Sequence, residues 1–305
     1  MYIRNRHHVA LESRACRPDL TGTHLREDKM TATILVATDL SPRADRAVNR
    51  AFRLARAIGA DVLLATVIDS ELPEDVARPM AEAAATRLTR FAAAIPQAAE
   101  VRHATRIVTG DPSSAIPQLA EEADAALVVL GLHRDRPFLD LLRETTMERI
   151  VRHISRPVLL VRDPVDHDYA TLMAALDFAP ASTAALQIAA RLAPGAAIHG
   201  VHALHIPYRG FIAPHGSSIA IAPFRRSAEM RLAEWRAQND LPARLADVAL
   251  VEGAAHLVLN AEIEARRPDL LVLGAHGRAG AAPSILGSLA NDLMRAPPCD
   301  LLVAR

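Results

Sequence analysis

The chain has 305 residues, half of them hydrophobic, and its 35 Lys and Arg are balanced by 35 Asp and Glu. That length exceeds one ordinary core and suits two domains of roughly 100–200 residues, while a formal net charge of zero excludes a global field that would draw the chain to nucleic acid or to an anionic membrane surface. The apolar residues form no run long enough to span a bilayer, and two cysteines, Cys16 and Cys299, without a CxxC spacing make neither a disulfide framework nor a cysteine metal site, which points to a reducing, cytoplasmic setting.

Residues 1–30 are polar and basic and lack the apolar stretch of a secretory signal. They read as a flexible N-terminal extension, or as the result of a start codon assigned upstream of the real one; the disordered tail is the favoured reading. Beyond Met30, short apolar runs alternate with longer segments of helical period, the pattern of βα units building a parallel sheet. Strands are predicted at Ile34 to Ala37, Val62 to Val67, Val101 to Val108, Ala126 to Leu130 and Val158 to Val161, with helices between them. A second series follows near Leu172 to Ala175, Ala197 to Ala203, Asp247 to Val251, Leu270 to Leu273 and Asp300 to Val303. Runs such as AALVVLG and DLLVLG are apolar on both faces, as strands covered by helices on both sides must be.

The two series are one repeat. ILVATDLSPRADRAVNRAFRLA matches LMAALDFAPASTAALQIAARLA, with Asp39 on Asp177 at an offset of 177 − 39 = 138. Gly110 falls on Gly253 and Gly131 on Gly274, both at an offset of 143, and RPVLLVR from Arg156 falls on CDLLVAR from Cys299. The extra five residues are expected in Ile206 to Phe224, a Pro- and Gly-rich stretch that reads as a loop. The expected architecture is α/β: two tandem doubly wound domains, each with a five-stranded parallel sheet and four helices, over residues 31–164 and 165–305. Ligands of such sheets collect beyond the carboxyl ends of the strands, where Asp177 and Gly274 both lie. The last strand of each half is expected to pair with its counterpart across a pseudo-twofold axis, because an edge strand carries unsatisfied backbone groups.

After the fourth strand of the second half the sequence reads GAHGRAGAAPSILGS, from Gly274 to Ser288. Gly274 and Gly277 let backbone N–H groups approach an anion without a Cβ in the way, and Gly287 with Ser288 opens a helix whose first amides and dipole favour negative charge. A lone G-x-x-G is more often a tight turn than a ligand loop. Here a strand precedes it, a helix follows, Gly-Ser comes after nine intervening residues, and an acidic residue ends the first strand.

On these motifs the chain resembles the universal stress protein family, twice over and nearly throughout beyond Met30. The resemblance implies adenine nucleotide alpha hydrolase-like, Rossmann-like domains, and a site in the second half for ATP or another adenine nucleotide, with or without Mg. Asp177 would contact the adenosine, the backbone of Ala203 would read the adenine edge, and Gly274, Gly277, Gly287 and Ser288 would hold the phosphates. Asp177 has a second reading as the cap of the next helix; His276 either touches phosphate or ribose or serves the loop. In the first half only Gly131 and Thr145 of the four motif positions survive, with Arg134 and Glu144 in place of the other two. A carboxylate beside a polyphosphate costs on the order of 1 kcal/mol even in a water-like dielectric; Arg134 could instead pair with phosphate, but an ion pair with Glu144 or simple solvated charges is favoured, so a nucleotide is disfavoured there.

His199, His202 and His205 recur at intervals of three, but on a strand His202 faces away from the other two, which argues against a metal site. No nucleophile with an adjacent base and no G-x-x-x-x-G-K-[ST] loop is present, and Cys299 reads as structural. The expectation is a cytoplasmic binding protein of stress response or signalling, not an enzyme and with at most slow ATP hydrolysis, a pseudo-dimer within one chain that could pair further as a homodimer, and without nucleic-acid or membrane partners. An alternative is a nucleotide-independent module binding a protein or an apolar ligand through Phe211, Ile212, Ile219 and Phe224. An ATP pyrophosphatase is disfavoured, because TDLSPRA and LDFAPAS stand where its SGGxDS loop belongs.

Overall fold

The computed structural model describes residues 32–41, 44–132, 146–207, 218–275 and 287–305. Two compact units divide the chain, Met1–His133 and Arg134–Arg305. In the first, β1 (Thr33–Ala37), α1 (Ala44–Ile58), β2 (Asp61–Ile68), α2 (Glu74–Ala94), β3 (His103–Thr109), α3 (Pro112–Glu122) and β4 (Ala125–Gly131) alternate, and the strands lie parallel in the order β3-β2-β1-β4. The second unit holds α4 (Thr146–His153), β5 (Val158–Val161), β6 (Thr171–Ala175), α5 (Pro180–Leu192), β7 (Ala197–Leu204), α6 (Ser218–Gln238), β8 (Leu245–Glu252), α7 (Ala255–Arg266), β9 (Leu270–Gly274), α8 (Ser288–Arg295) and β10 (Asp300–Ala304). Its sheet runs β5-β10-β9-β6-β7-β8, parallel from β10 to β8.

The central strands are buried on both faces, as their unbroken apolar runs require. Leu35, Val36, Val128 and Val129 in the first unit and Leu172, Met173, Leu270 and Leu271 in the second are inaccessible to solvent. The helices cover them with single stripes. In α1 the buried residues Ala47, Val48, Ala51, Phe52, Leu54 and Ala55 follow the helical period.

The repeat extends to backbone detail. Thr33 pairs with Asp61 and Thr171 with Ala197, which fixes the second strand at an offset of 197 − 61 = 136 and establishes a two-residue gap before β7. Left-handed residues recur in pairs: Leu40 and Phe178 at φ 62° and 65°, Asp124 and Arg267 at 44° and 46°. Helices α2 and α6 match at 218 − 74 = 144, each with an interior proline, Pro79 and Pro223. The insertion therefore lies between β7 and α6. The predicted loop at Ile206 to Phe224 needs correction at its end, because helix α6 already begins at Ser218. Phe224 packs on Leu204, Ile206, Ile221 and Ala228.

Strand β5 ladders antiparallel with β10, Leu160 opposite Leu301 and Leu159 opposite Leu302. The expected pairing of RPVLLVR with CDLLVAR is thus present, within the second unit. Its ends are tied by polar contacts. Arg305 donates to the carbonyl of Arg152 at 2.8 Å, and Arg162 to that of Pro298 at 2.9 Å. Buried Asp300 accepts the N–H of Arg162 at 2.8 Å, the N–H of Asp163 at 3.2 Å and the Tyr169 hydroxyl at 2.6 Å. Beside them Arg295 of α8 donates to the buried carboxylate of Glu148 of α4 at 2.5 Å. Cys299 is buried, and desolvation pushes its thiol up to about 12, so it stays a protonated packing residue.

Candidate functional site

In the second unit the strand order reverses between β6 and β9. Chains leaving these two strands at their carboxyl ends part toward opposite faces of the sheet and leave a crevice. A cavity of about 280 Å³ lies there. Its wall includes Asp177, Ala203, Gly274, Gly287 and Ser288, five residues singled out by sequence from four separate segments. The other two, His276 and Gly277, lie outside the described residues, as do Arg134, Glu144 and Thr145 of the first half.

Asp177 ends the run from β6, and its Oδ1 accepts the N–H of Ala179 at 3.0 Å and the hydroxyl of Ser182 at 2.7 Å. The carboxylate thus shapes the turn into α5 and borders the cavity; the expected cap of the helix is corrected, since Ala179 occupies the cap position of α5 and no side chain caps it. Between Asp177 and Ala179, Phe178 takes the left-handed backbone, at a cost of about 1–2 kcal/mol for a residue with a Cβ.

Gly274 owes its identity to packing. A Cβ there would lie 2.7 Å from the amide nitrogen of Ser182 and 3.0 Å from the carbonyl carbon of Ala181, so the end of β9 approaches α5 as only glycine permits. At Gly287 a Cβ would meet nothing nearer than the Ala275 carbonyl oxygen at 3.7 Å. Gly287 caps α8 in extended backbone without a side-chain cap. Its N–H donates to the Ala275 carbonyl at 2.9 Å, which brings the two ends of the glycine-rich segment together. The first amides of a helix have no partner within it, and Ser288, Leu289 and Ala290, which carry them in α8, all border the cavity. The arrangement suits an anionic group at the helix start and an apolar ring against Leu176, Val201, Leu259 and Leu273.

Ser182 and His202 also line this cavity, and the sequence reading gave neither a part in it. Ser182 has Ala44 as its counterpart in the first half, so the repeat carried no signal. His202 was weighed only as a metal ligand; it is buried, its Nδ1 lies 2.7 Å from the Leu176 carbonyl, and its ring stacks on Phe178. Among the described residues no group of three His, Cys, Asp or Glu is placed to hold a metal, and no helix is long and apolar enough to cross a membrane.

A universal stress protein family model matches residues 30–162 and again residues 168–305. The chain belongs to the universal stress protein family. It is a tandem member, with one family unit per repeat. Among solved structures it is similar to a universal stress protein from Archaeoglobus fulgidus DSM 4304, with a TM-score of 0.66 and 20% identity, covering 90% of this chain and 99% of that one. A functionally unknown protein from Pseudomonas aeruginosa PAO1 follows, with a TM-score of 0.60 and 16% identity over 90% and 92%. A universal stress protein in complex with cAMP covers 43% of this chain and 96% of its own at 26% identity, with a TM-score of 0.36. No curated protein matches the chain in sequence.

Proposed function

We propose that the second repeat binds ATP or a related adenine nucleotide, with or without Mg, and that this universal stress protein acts in the cytoplasm as a ligand-responsive binding protein of stress response or signalling rather than as an enzyme. One observation carries the reading: Asp177, Ala203, Gly274, Gly287 and Ser288 border a single cavity at the switch point of the sheet. Apolar walls suit the adenine ring, Asp177 suits a ribose hydroxyl, and the start of α8 suits a phosphate. The first repeat serves as a scaffold, since Arg134 and Glu144 stand at its glycine positions. With no activated nucleophile and no phosphate-loop lysine in the sequence, turnover of bound ATP is at most slow. Calorimetric titration of the full chain with ATP tests this against Gly277→Arg, which copies the first repeat. The reading predicts heat from the native chain and none from the variant; equal heats contradict it.

A further inference from the structure

Phe178 sits in the left-handed region at φ 65°, which bulky residues rarely occupy. Its ring is bracketed. The His202 ring stacks on it with centroids 4.4 Å apart, and the Trp235 indole lies 5.4 Å away on a tilted plane. Both partners are anchored to the backbone on either side of the turn. The imidazole of His202 donates from Nδ1 to the Leu176 carbonyl at 2.7 Å. The indole N–H of Trp235 donates to the Thr183 hydroxyl at 2.7 Å, which donates in turn to the Ala179 carbonyl at 3.0 Å. Asp177 lies inside this frame, between Leu176 and Phe178.

The first repeat builds the same turn without the frame. Leu40 has φ 62°, Thr38 Oγ1 accepts the Leu40 N–H at 3.0 Å, and Asp39 Oδ1 accepts the Ser41 N–H at 2.9 Å. At the offsets set by the strand register and the helix match, His202 corresponds to Thr66 (202 − 136) and Trp235 to Phe91 (235 − 144). Neither Leu40 nor Thr66 carries a ring, so no such stack can form there. The turn therefore does not need the bracket in order to fold, and the bracket occurs in the repeat whose cavity His202 and Asp177 both line.

We infer that Phe178 is a positioning residue for ligand binding: clamped between His202 and Trp235, it holds the Asp177 carboxylate at the cavity wall. The inference rests on the cavity being an adenine-nucleotide site. It acts through preorganisation, since a carboxylate already held in place loses less freedom when the ligand arrives.

Titration of the full chain with ATP tests it on the native protein, Phe178→Leu, Phe178→Tyr, Asp177→Asn and the double variant Asp177→Asn with Phe178→Leu. Leucine is the residue that this turn carries at position 40, so the fold tolerates it. The expected result is an affinity loss of about tenfold for Phe178→Leu, near-native affinity for Phe178→Tyr, which keeps the stack, and no further loss from Phe178→Leu once Asp177 is Asn. Native-like affinity of Phe178→Leu overturns the inference, as does an equal loss in both backgrounds, which marks a merely structural role. Absence of ATP binding by the native chain overturns the cavity reading and this inference together, whereas native binding with an unaffected Phe178→Leu overturns this inference alone.

Discussion

Gly274 and Gly287 belong to one motif and meet unlike surroundings. A methyl group at Gly274 runs into the backbone of Ala181 and Ser182, neither of which can step aside without moving α5. Gly274→Ala is expected to destabilise the chain by about 1–3 kcal/mol, the usual cost of overpacking. Gly287→Ala, with only ordinary contact around it, should shift stability by about 1 kcal/mol or less, as an exchange at a helix cap does; chemical denaturation of both variants checks the difference. A second expectation concerns the segment joining the repeats. The side chain of His167 bridges Asp269, at 3.2 Å, and Asp166, and these carboxylates raise its pKa. Burial opposes ionisation of Asp269, but the N–H groups of Thr171 and Ala170 together with His167 outweigh it and leave the carboxyl below its ordinary value. A raised His pKa gives stability that is complete below about pH 6.5 and lost as pH rises through the folded value; a lowered Asp pKa gives stability that is present above about pH 3.9 and lost as pH falls through the folded value. His167→Ala should remove this histidine's loss of stability as pH rises above about 6.5, and an unchanged plot of stability against pH contradicts it. Asp177, Gly274, Gly287 and Ser288 were legible because they stand in a spaced motif. The bracket around Phe178 was not, because Trp235 reaches it from a helix more than fifty residues away.

Among the elements, the strands were the most readable. Their apolar runs are short, buried on both faces and bounded by polar residues, so each predicted strand falls within about two residues of the observed one. Helix α6 was harder. Its first turns, SIAIAPF, hold a proline and follow a glycine-rich stretch, both turn signals. What decides the helix is tertiary: Ile221 and Phe224 gain burial against Leu204 and Ile206, and Pro223, like Pro79 in α2, sits only six residues into the helix. The same contacts hold Phe224 half-buried on helix α6 rather than on a docking loop. The polar ties around β5 and β10 carry their own test. Asp300 is fully buried and satisfies three donors; Asp300→Ala leaves the Tyr169 hydroxyl and two N–H groups without that acceptor and should destabilise the second unit by about 2–4 kcal/mol. Thermal unfolding followed by circular dichroism measures it, and a shift under about 0.5 kcal/mol contradicts the assignment.

At the scale of the whole molecule, tandem duplication has kept the fold twice and left the two halves with different sequences at the ligand end of the sheet. The antiparallel ladder of β5 with β10 covers strand edges that would otherwise invite pairing with other chains. Only the second repeat retains the four motif residues, and among the described residues only there does an aromatic bracket stand beside the acidic residue that follows the first strand. The central claim is that a duplicated chain carries a single adenine-nucleotide site. Native mass spectrometry of the full chain with ATP in excess tests it most directly. The account predicts a mass increase of one nucleotide per chain, abolished in Gly277→Arg; a chain that takes up none, or two, contradicts it.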